Sequence, residues 1–125
     1  MGKKILIIDD NADVCSTVSE FLGKKGFTAI TATSGKEGIR TAHKLKPDLI
    51  LLDIMMPKMD GFAVLKKLKD SQKTMTTPVI MLTARGDEES KLKASSLYSE
   101  YYLVKPFQME ELESKIKTVL ERQII

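Results

Sequence analysis

Five short apolar runs alternate with segments of helical periodicity along this chain of 125 residues. The runs cover residues 5–8, 27–33, 49–52, 79–82 and 101–104. Short apolar runs bounded by turn residues are typical of β-strands. The uninterrupted runs predict strands buried on both faces, whereas the partial alternation within residues 27–33 predicts an edge strand.

Helices should fill the intervals between these strands. In the first interval the apolar residues recur at helical spacing: Val14, Val18, Phe21 and Leu22. Gly26 should end this helix. Ser34 can cap the second helix, because Glu37 three residues later completes a capping box, and Pro47 should stop it. Gly61 opens the third helix.

The last two predicted helices differ in the strength of their apolar pattern. Residues 88–97 have few apolar positions, so this helix should be the loosest in the fold. The final helix has apolar residues along one face: Met109, Leu112, Ile116, Val119 and Leu120.

Strands that alternate with helices in this way predict an α/β fold with a parallel sheet covered by helices on both faces. Right-handed crossovers leave few topologies for such a sheet. The length of 125 residues suits one domain with its own core. Ligands of these folds bind beyond the carboxyl ends of the strands, so the residues that follow each strand are the candidates for function.

Three carboxylates follow two of the predicted strands. Asp9 and Asp10 come after the first strand, and Asp53 comes after the third. If these strands are neighbours, two such charges ~4 Å apart repel by about 4 kcal/mol at an effective dielectric constant of ~20. A divalent cation would remove this repulsion, and oxygen ligands without His or Cys suit Mg²⁺.

A hydroxyl and an ammonium group follow the remaining strands at the same edge. Thr83 comes at the end of the fourth strand and Lys105 after the fifth. Together with a metal, these groups suit a phosphoryl group, whose oxygens they could neutralise while a carboxylate attacks in line. Asp53 is the best nucleophile because it stands alone at its strand end.

Four motifs at the strand ends carry a resemblance to a known family. They are IIDD at 7–10, LLDIMMPKMDG at 51–61, VIMLTA at 79–84 and YYLVKPF at 101–107. With these motifs in this order, the chain resembles the receiver domain of two-component response regulators over essentially its whole length. The resemblance implies a flavodoxin-like, doubly wound sheet of five parallel strands in the order 2-1-3-4-5 with five helices, in a single domain at 1–125.

The resemblance also implies roles for the residues at the strand ends. Asp53 would accept a phosphoryl group from a phosphohistidine of a sensor histidine kinase or phosphotransfer protein. Asp10, Asp53 and the backbone carbonyl of Met55 would bind Mg²⁺, and Asp9 would help, through water. The phosphoryl oxygens would contact two residues, Thr83 and Lys105, of which the lysine precedes a cis proline in the family.

Thr83 and Tyr102 match the switch residues of the family. The resemblance implies that phosphorylation changes the face formed by the last two helices and strand five, which binds a downstream protein target, and it allows a phosphorylation-linked dimer. One departure concerns this face. Where the family often has a Gly-Ala-Asp-Asp type of turn, this chain has Tyr98-Ser99-Glu100-Tyr101.

Composition adds few constraints. The net charge of +3 is mild, and the single cysteine, Cys15, excludes an internal disulfide and favours a reducing cytoplasm. The apolar segment after the first lysines is too short for a signal peptide or a membrane span. We therefore expect a cytoplasmic protein without membrane insertion. His43, the single histidine, is expected on the helix surface, away from any charged cluster.

The chain ends directly after the final predicted helix. We therefore expect no direct nucleic-acid binding from this chain, which is either a stand-alone regulator or a part of a longer one.

Three other classes of protein are alternatives to a phosphoacceptor. A phosphatase of the haloacid dehalogenase kind needs a D-x-D pair, but Asn11 lies two residues after Asp9. A flavin carrier needs a Ser/Thr/Gly phosphate loop after the first strand, and the sequence DDNADV has none. A degenerate receiver that binds its partners constitutively would not need the complete acidic set.

Overall fold

The computed structural model describes residues 2–83 and 101–122. Five strands are present: β1 (Lys4–Ile8), β2 (Thr28–Ala32), β3 (Leu49–Asp53), β4 (Val79–Thr83) and β5 (Tyr101–Val104). Four helices lie in the described ranges: α1 (Ala12–Lys24), α2 (Gly35–Leu45), α3 (Gly61–Asp70) and α4 (Met109–Arg122). The fourth predicted helix, at 88–97, and residues 98–100, where the turn departs from the family pattern, lie outside the described residues.

The five strands form one parallel sheet in the order β2-β1-β3-β4-β5. This is the predicted order, and the predicted edge position of the second strand is confirmed. The strand β1 lies between β2 and β3, with Ile8 opposite Leu52. Because all strands run in the same direction, their carboxyl ends meet at one edge of the sheet.

Two apolar layers cover the sheet, one on each face. Successive side chains of a strand point to opposite faces, so Leu6 and Ile8 pack with α2 and α3, whereas Ile5 and Ile7 pack with α1 and α4. All four side chains have no exposed surface. Burial on both faces explains why the strand sequences are continuously apolar rather than alternating.

Side-chain caps fix the starts of the helices. Ser34 Oγ accepts from Glu37 N at 3.1 Å, and Glu37 Oε1 accepts from Thr33 N at 2.8 Å. The two residues thus form the predicted capping box, except that the Glu37 side chain accepts from the N–H of Thr33 rather than from that of Ser34. Asp60 Oδ1 accepts from Ala63 N at 2.9 Å and caps α3. None of the helices in the described ranges is both long and apolar enough to cross a membrane.

Gly38 allows α2 to approach β1 closely. A Cβ at this position would lie 2.5 to 2.9 Å from three carbons of the Ile8 side chain. We expect Gly38→Ala to lower the free energy of unfolding by about 1–3 kcal/mol, because the fully buried Ile8 must shift to avoid overpacking. Chemical denaturation followed by circular dichroism measures this change.

Gly23 in α1 provides the matched control. A Cβ there would meet no atom within 4 Å. Gly23→Ala should therefore stabilise the protein by about 0.5–1 kcal/mol through helix propensity. Equal effects of the two substitutions would contradict the close approach of α2 to β1.

Candidate functional site

The parallel register brings the predicted site residues to one edge of the sheet. Asp9 directly follows β1, and Asp53 ends β3, one residue beyond the Ile8–Leu52 pair in each strand. Thr83 ends β4, the next strand of the sheet. These three polar residues are at most 4% exposed. The apolar strands therefore hold buried polar groups at their carboxyl ends.

Lys105 joins the two buried carboxylates. Its Nζ lies 2.9 Å from Asp9 Oδ2 and 3.3 Å from Asp53 Oδ1. The lysine directly follows β5, its backbone N–H donates to the Thr83 carbonyl, and its peptide bond to Pro106 is cis, as the resemblance implies. The ammonium group thus partly neutralises two acids that come from two different strands.

Further hydrogen bonds fix the orientation of Asp9. The backbone N–H of Asn11 donates to Asp9 Oδ1 at 2.9 Å, so both carboxylate oxygens of Asp9 have a donor. Beneath the acid, the Cys15 thiol donates to the Asp9 carbonyl at 3.3 Å. Burial raises the pKa of the Cys15 thiol, and the negative charge of Asp9 acts in the same direction, so the thiol keeps its proton. These supporting roles of Asn11 and Cys15 are additional to the roles predicted from the sequence.

Asp10 completes the acidic cluster. One carboxylate oxygen each from Asp9, Asp10 and Asp53 lies within 4.8 Å of the others. Asp10 is exposed, and in the described parts of the chain no salt bridge or hydrogen bond joins its carboxylate. Three converging carboxylates without His or Cys are the ligands that hard divalent cations prefer. The residues present therefore fit such a cation.

The charge of Asp53 is energetically unfavourable in this position. Burial raises the pKa of Asp53 from 3.8 to about 6; the charge of Asp9 adds to this rise, and Lys105 opposes it. Burial alone would lower the pKa of Lys105, but its hydrogen bond to Asp9 and the charges of Asp53 and Asp9 raise it above its ordinary value. At neutral pH the site therefore holds an ionised carboxylate with incomplete compensation.

The loop after β3 returns closely to Asp53. Gly61 N donates to the Ile54 carbonyl at 2.8 Å, and a Cβ on Gly61 would collide with the backbone carbonyl of Asp53. Glycine at this position therefore lets α3 begin directly beside the acidic residue. Met55 lies in this loop, and its side chain is 71% exposed.

The two predicted switch residues lie on neighbouring strands. In the register of β4 and β5, Thr83 is opposite Val104, and Tyr102 is opposite Met81. The Tyr102 side chain is half-buried and packs against the apolar layer shared with α2 and α3. The roles of Thr83 and Tyr102 as a switch stay predictions, as does the role of the Met55 carbonyl.

The fold and this site define a class of protein. Residues 5–117 match the response regulator receiver domain family, and the chain belongs to this family. It is therefore a receiver domain of the two-component signalling type.

Among curated proteins, the chain is 38% identical over 125 residues to the alkaline phosphatase synthesis transcriptional regulatory protein PhoP of Bacillus subtilis, covering 100% of this chain and 51% of that protein. It is 40% identical over 119 residues to the DNA-binding dual master transcriptional regulator RpaA of Synechocystis, covering 95% of this chain and 49% of that protein. The chain thus spans about half the length of these curated relatives.

Solved structures give the same class. The chemotaxis protein CheY4 of Vibrio cholerae superposes with a TM-score of 0.91 at 32% identity, covering 95% of this chain and 99% of that one. A two-component response regulator from Clostridium difficile superposes with a TM-score of 0.90 at 34% identity, covering 97% and 98% of the two chains. The described fold is therefore that of CheY-like receivers.

Proposed function

We propose that this receiver accepts a phosphoryl group on Asp53 from a phosphohistidine of a sensor histidine kinase or phosphotransfer protein, in a Mg²⁺-dependent reaction. The observation that carries the proposal is the environment of Asp53. This buried carboxylate ends a rigid strand, has Lys105 Nζ at 3.3 Å, and belongs to a cluster of three acids.

The chemistry requires an ionised nucleophile. With a pKa of about 6, Asp53 is mostly ionised at pH 7. A carboxylate oxygen of Asp53 attacks phosphorus, a P–O bond forms, the P–N bond to the donor histidine breaks, and the histidine nitrogen keeps the electron pair. The product carries the negative charge of the phosphoryl oxygens at the same acidic edge, so the reaction requires cations at the site to offset their repulsion with Asp9.

The other residues of the site would bind the metal or contact the phosphoryl oxygens. Asp10, Asp53 and the Met55 carbonyl would hold Mg²⁺ directly, and Asp9, whose oxygens already accept from Lys105 and Asn11, would help through water. The metal supplies positive charge for the phosphoryl oxygens. Lys105, already at the site, would move from its two carboxylates to a phosphoryl oxygen, and the Thr83 hydroxyl would contact another.

The protein would act on itself rather than on a separate metabolite. We propose that it catalyses its own phosphorylation and a slow dephosphorylation, in the cytoplasm. PhoP and RpaA are named as transcriptional regulators. For this chain we propose control of a downstream protein target, with no direct contact between this chain and nucleic acid, and a dimer linked to phosphorylation.

Acetyl phosphate provides a direct test without a cognate kinase. With Mg²⁺, the intact mass of the protein should increase by one phosphoryl group, and chelation of the metal should prevent this increase. The acyl phosphate should map to the peptide that contains Asp53. Absence of the adduct, or an adduct that forms equally well in the chelated sample, would contradict the proposal.

The switch has its own test. A phosphoryl group on Asp53 would bind the Thr83 hydroxyl and draw it inward, which makes room for the Tyr102 ring to rotate. A beryllofluoride adduct, used as a stable phosphoryl mimic, should shift NMR resonances of β5 as well as those near Asp53. Thr83→Ala should reduce the β5 shifts and leave phosphorylation intact. Shifts confined to residues that touch Asp53 would indicate a phosphate carrier without a switch.

A further inference from the structure

A second concave surface lies away from the acidic cluster, between α2 and α3. This groove has a volume of about 620 Å³, and none of the acidic-site residues lines it. Ile39 and Met59 form an apolar floor that packs against the core layer. The volume is in the range of binding clefts, roughly 300–1,000 Å³.

The walls of this groove are strongly basic. Five exposed cationic side chains line it: Lys36, Arg40, Lys44, Lys67 and Lys73. No acidic residue of the described ranges lines the groove, and within those ranges none of the five cations forms a salt bridge. These five positive charges exceed the net charge of +3 of the whole chain, so the basic character is concentrated here.

The arrangement of these charges is unfavourable for the isolated helix. Lys36, Arg40 and Lys44 follow one another at intervals of four residues on one face of α2, where like charges repel. Glu37, which could offset them, instead accepts a hydrogen bond from the Thr33 backbone at 2.8 Å. The helix dipole favours Lys44 in the last turn but disfavours Lys36 in the first turn. Helix stability therefore does not account for the whole basic face, whereas an anionic ligand would.

His43 lies beneath the same groove. Its ring is half-buried, and its Nε2 is a buried nitrogen without a hydrogen-bond partner among the described residues. Such groups are unfavourable unless a further partner satisfies them. The expectation that His43 lies away from charged residues is wrong, because α2 and α3 together surround it with cations.

We propose that this groove binds an acidic peptide segment of a partner protein, in which an apolar side chain lies between carboxylates. The carboxylates would pair with the basic walls, and the apolar side chain would cover Ile39 and Met59. The described lining contains no Phe, Tyr or Trp ring on which nucleic-acid bases could stack, and the ring of His43 is half-buried. The apolar floor would also leave Ile39 and Met59 facing a charged phosphate backbone. An acidic peptide is therefore favoured over a nucleic acid.

Titration with a synthetic peptide tests this binding. The probe is a short peptide of glutamates with a central leucine, added to the ¹⁵N-labelled protein. NMR shifts should concentrate in α2 and at the end of α3, and added salt should weaken binding. The double variant Arg40→Gln/Lys44→Gln should bind roughly fivefold more weakly. This variant loses a like-charge pair but also the favourable position of Lys44 in the last turn of α2, so it should be about as stable as the parent chain. Denaturation followed by circular dichroism checks that its weaker binding does not reflect unfolding.

Control samples distinguish binding of the acidic peptide in the groove from the alternative explanations. Lys3→Gln/Lys24→Gln removes two exposed charges outside the groove and should retain the affinity of the parent chain. Equal binding of a glutamine version of the peptide, or equal weakening in the control variant, would overturn the proposal. If a single-stranded oligonucleotide binds more tightly than the peptide, the proposal is wrong and the ligand is a nucleic acid. Concentration-dependent shifts without peptide would identify a second copy of the chain, with its acidic α4 start, as the occupant.

Discussion

Asp53→Asn is expected to abolish phosphorylation by acetyl phosphate and, without metal at pH 7, to make the protein more stable. The asparagine amide is not a nucleophile for phosphorus, so the loss should be complete. The same substitution removes a charge that the fold buries unfavourably, since the pKa of Asp53 is raised from 3.8 to about 6. A shift of this size corresponds to up to about 3 kcal/mol.

The direction of the pKa shift of Asp53 determines how the stability of the parent chain changes with pH. Asp53 binds its proton more tightly in the folded state, so its contribution to the free energy of unfolding is highest below about pH 4. This contribution falls as the pH rises from about 4 to about 6 and stays low above the folded pKa of about 6. Without metal, the difference in unfolding free energy between Asp53→Asn and the parent chain should therefore grow over this interval.

Asp60→Asn is the matched control for Asp53→Asn. Asp60 is exposed and caps α3, a role that asparagine performs equally well. The Asp60→Asn variant should still be phosphorylated, and its free energy of unfolding should lie within about 0.5 kcal/mol of that of the parent chain. Intact-mass analysis and denaturation followed by circular dichroism measure both properties. Phosphorylation of Asp53→Asn would disprove the assignment of the phosphoacceptor.

Lys105→Met should have the opposite effect on stability. The substitution leaves the buried carboxylates of Asp9 and Asp53 without the cation that lies 2.9 and 3.3 Å from them. Breaking a buried ion pair costs about 3–5 kcal/mol, and because the lysine side chain is 26% exposed we expect about 2–3 kcal/mol at pH 7. Phosphorylation should also be slower, because a charge that neutralises the phosphoryl oxygens is absent.

Acid should partly rescue the Lys105→Met variant. Without the ammonium group, the pKa of Asp53 should rise further, so protonation near pH 5 removes one of the two uncompensated charges. In the parent chain the raised pKa of Lys105 means that its stabilisation is present at and below neutral pH and is lost as the pH rises through that pKa.

Lys117→Met provides the surface comparison. Lys117 pairs with Glu113 at 3.2 Å while 59% exposed, so its removal should cost less than about 1 kcal/mol. An equal loss in the two variants, or a Lys105→Met variant whose deficit does not shrink near pH 5, would contradict the proposed role of Lys105 as the cation that compensates two buried acids.

The sheet and its acidic edge could be predicted from the sequence because they depend on local signals. A continuous apolar strand followed by a polar residue is visible in one stretch of chain, as at Leu52 and Asp53. The structure extends β3 and β4 by one residue each, to Asp53 and Thr83, because the backbone ladder continues past the last apolar side chain. An apolar pattern in the sequence does not indicate that the polar residues Asp53 and Thr83 still belong to the strands.

Features that arise between elements were not predicted. The basic groove combines residues of α2 with Lys67 and Lys73, which are distant in sequence, and no periodicity within one helix indicates that they meet. Such contacts depend on packing and loop geometry rather than on residue type.

The bond between Lys105 and Asp9 also has a consequence for protein synthesis. It joins residues that are 96 positions apart, and the bond to Asp53 spans 52 positions. The ribosome therefore releases β1 and β3, with their acids, well before the cation that compensates them. Until β5 has been synthesised, no Lys105 is present to compensate Asp9 and Asp53, so this signalling site cannot be completed before the fifth strand leaves the ribosome.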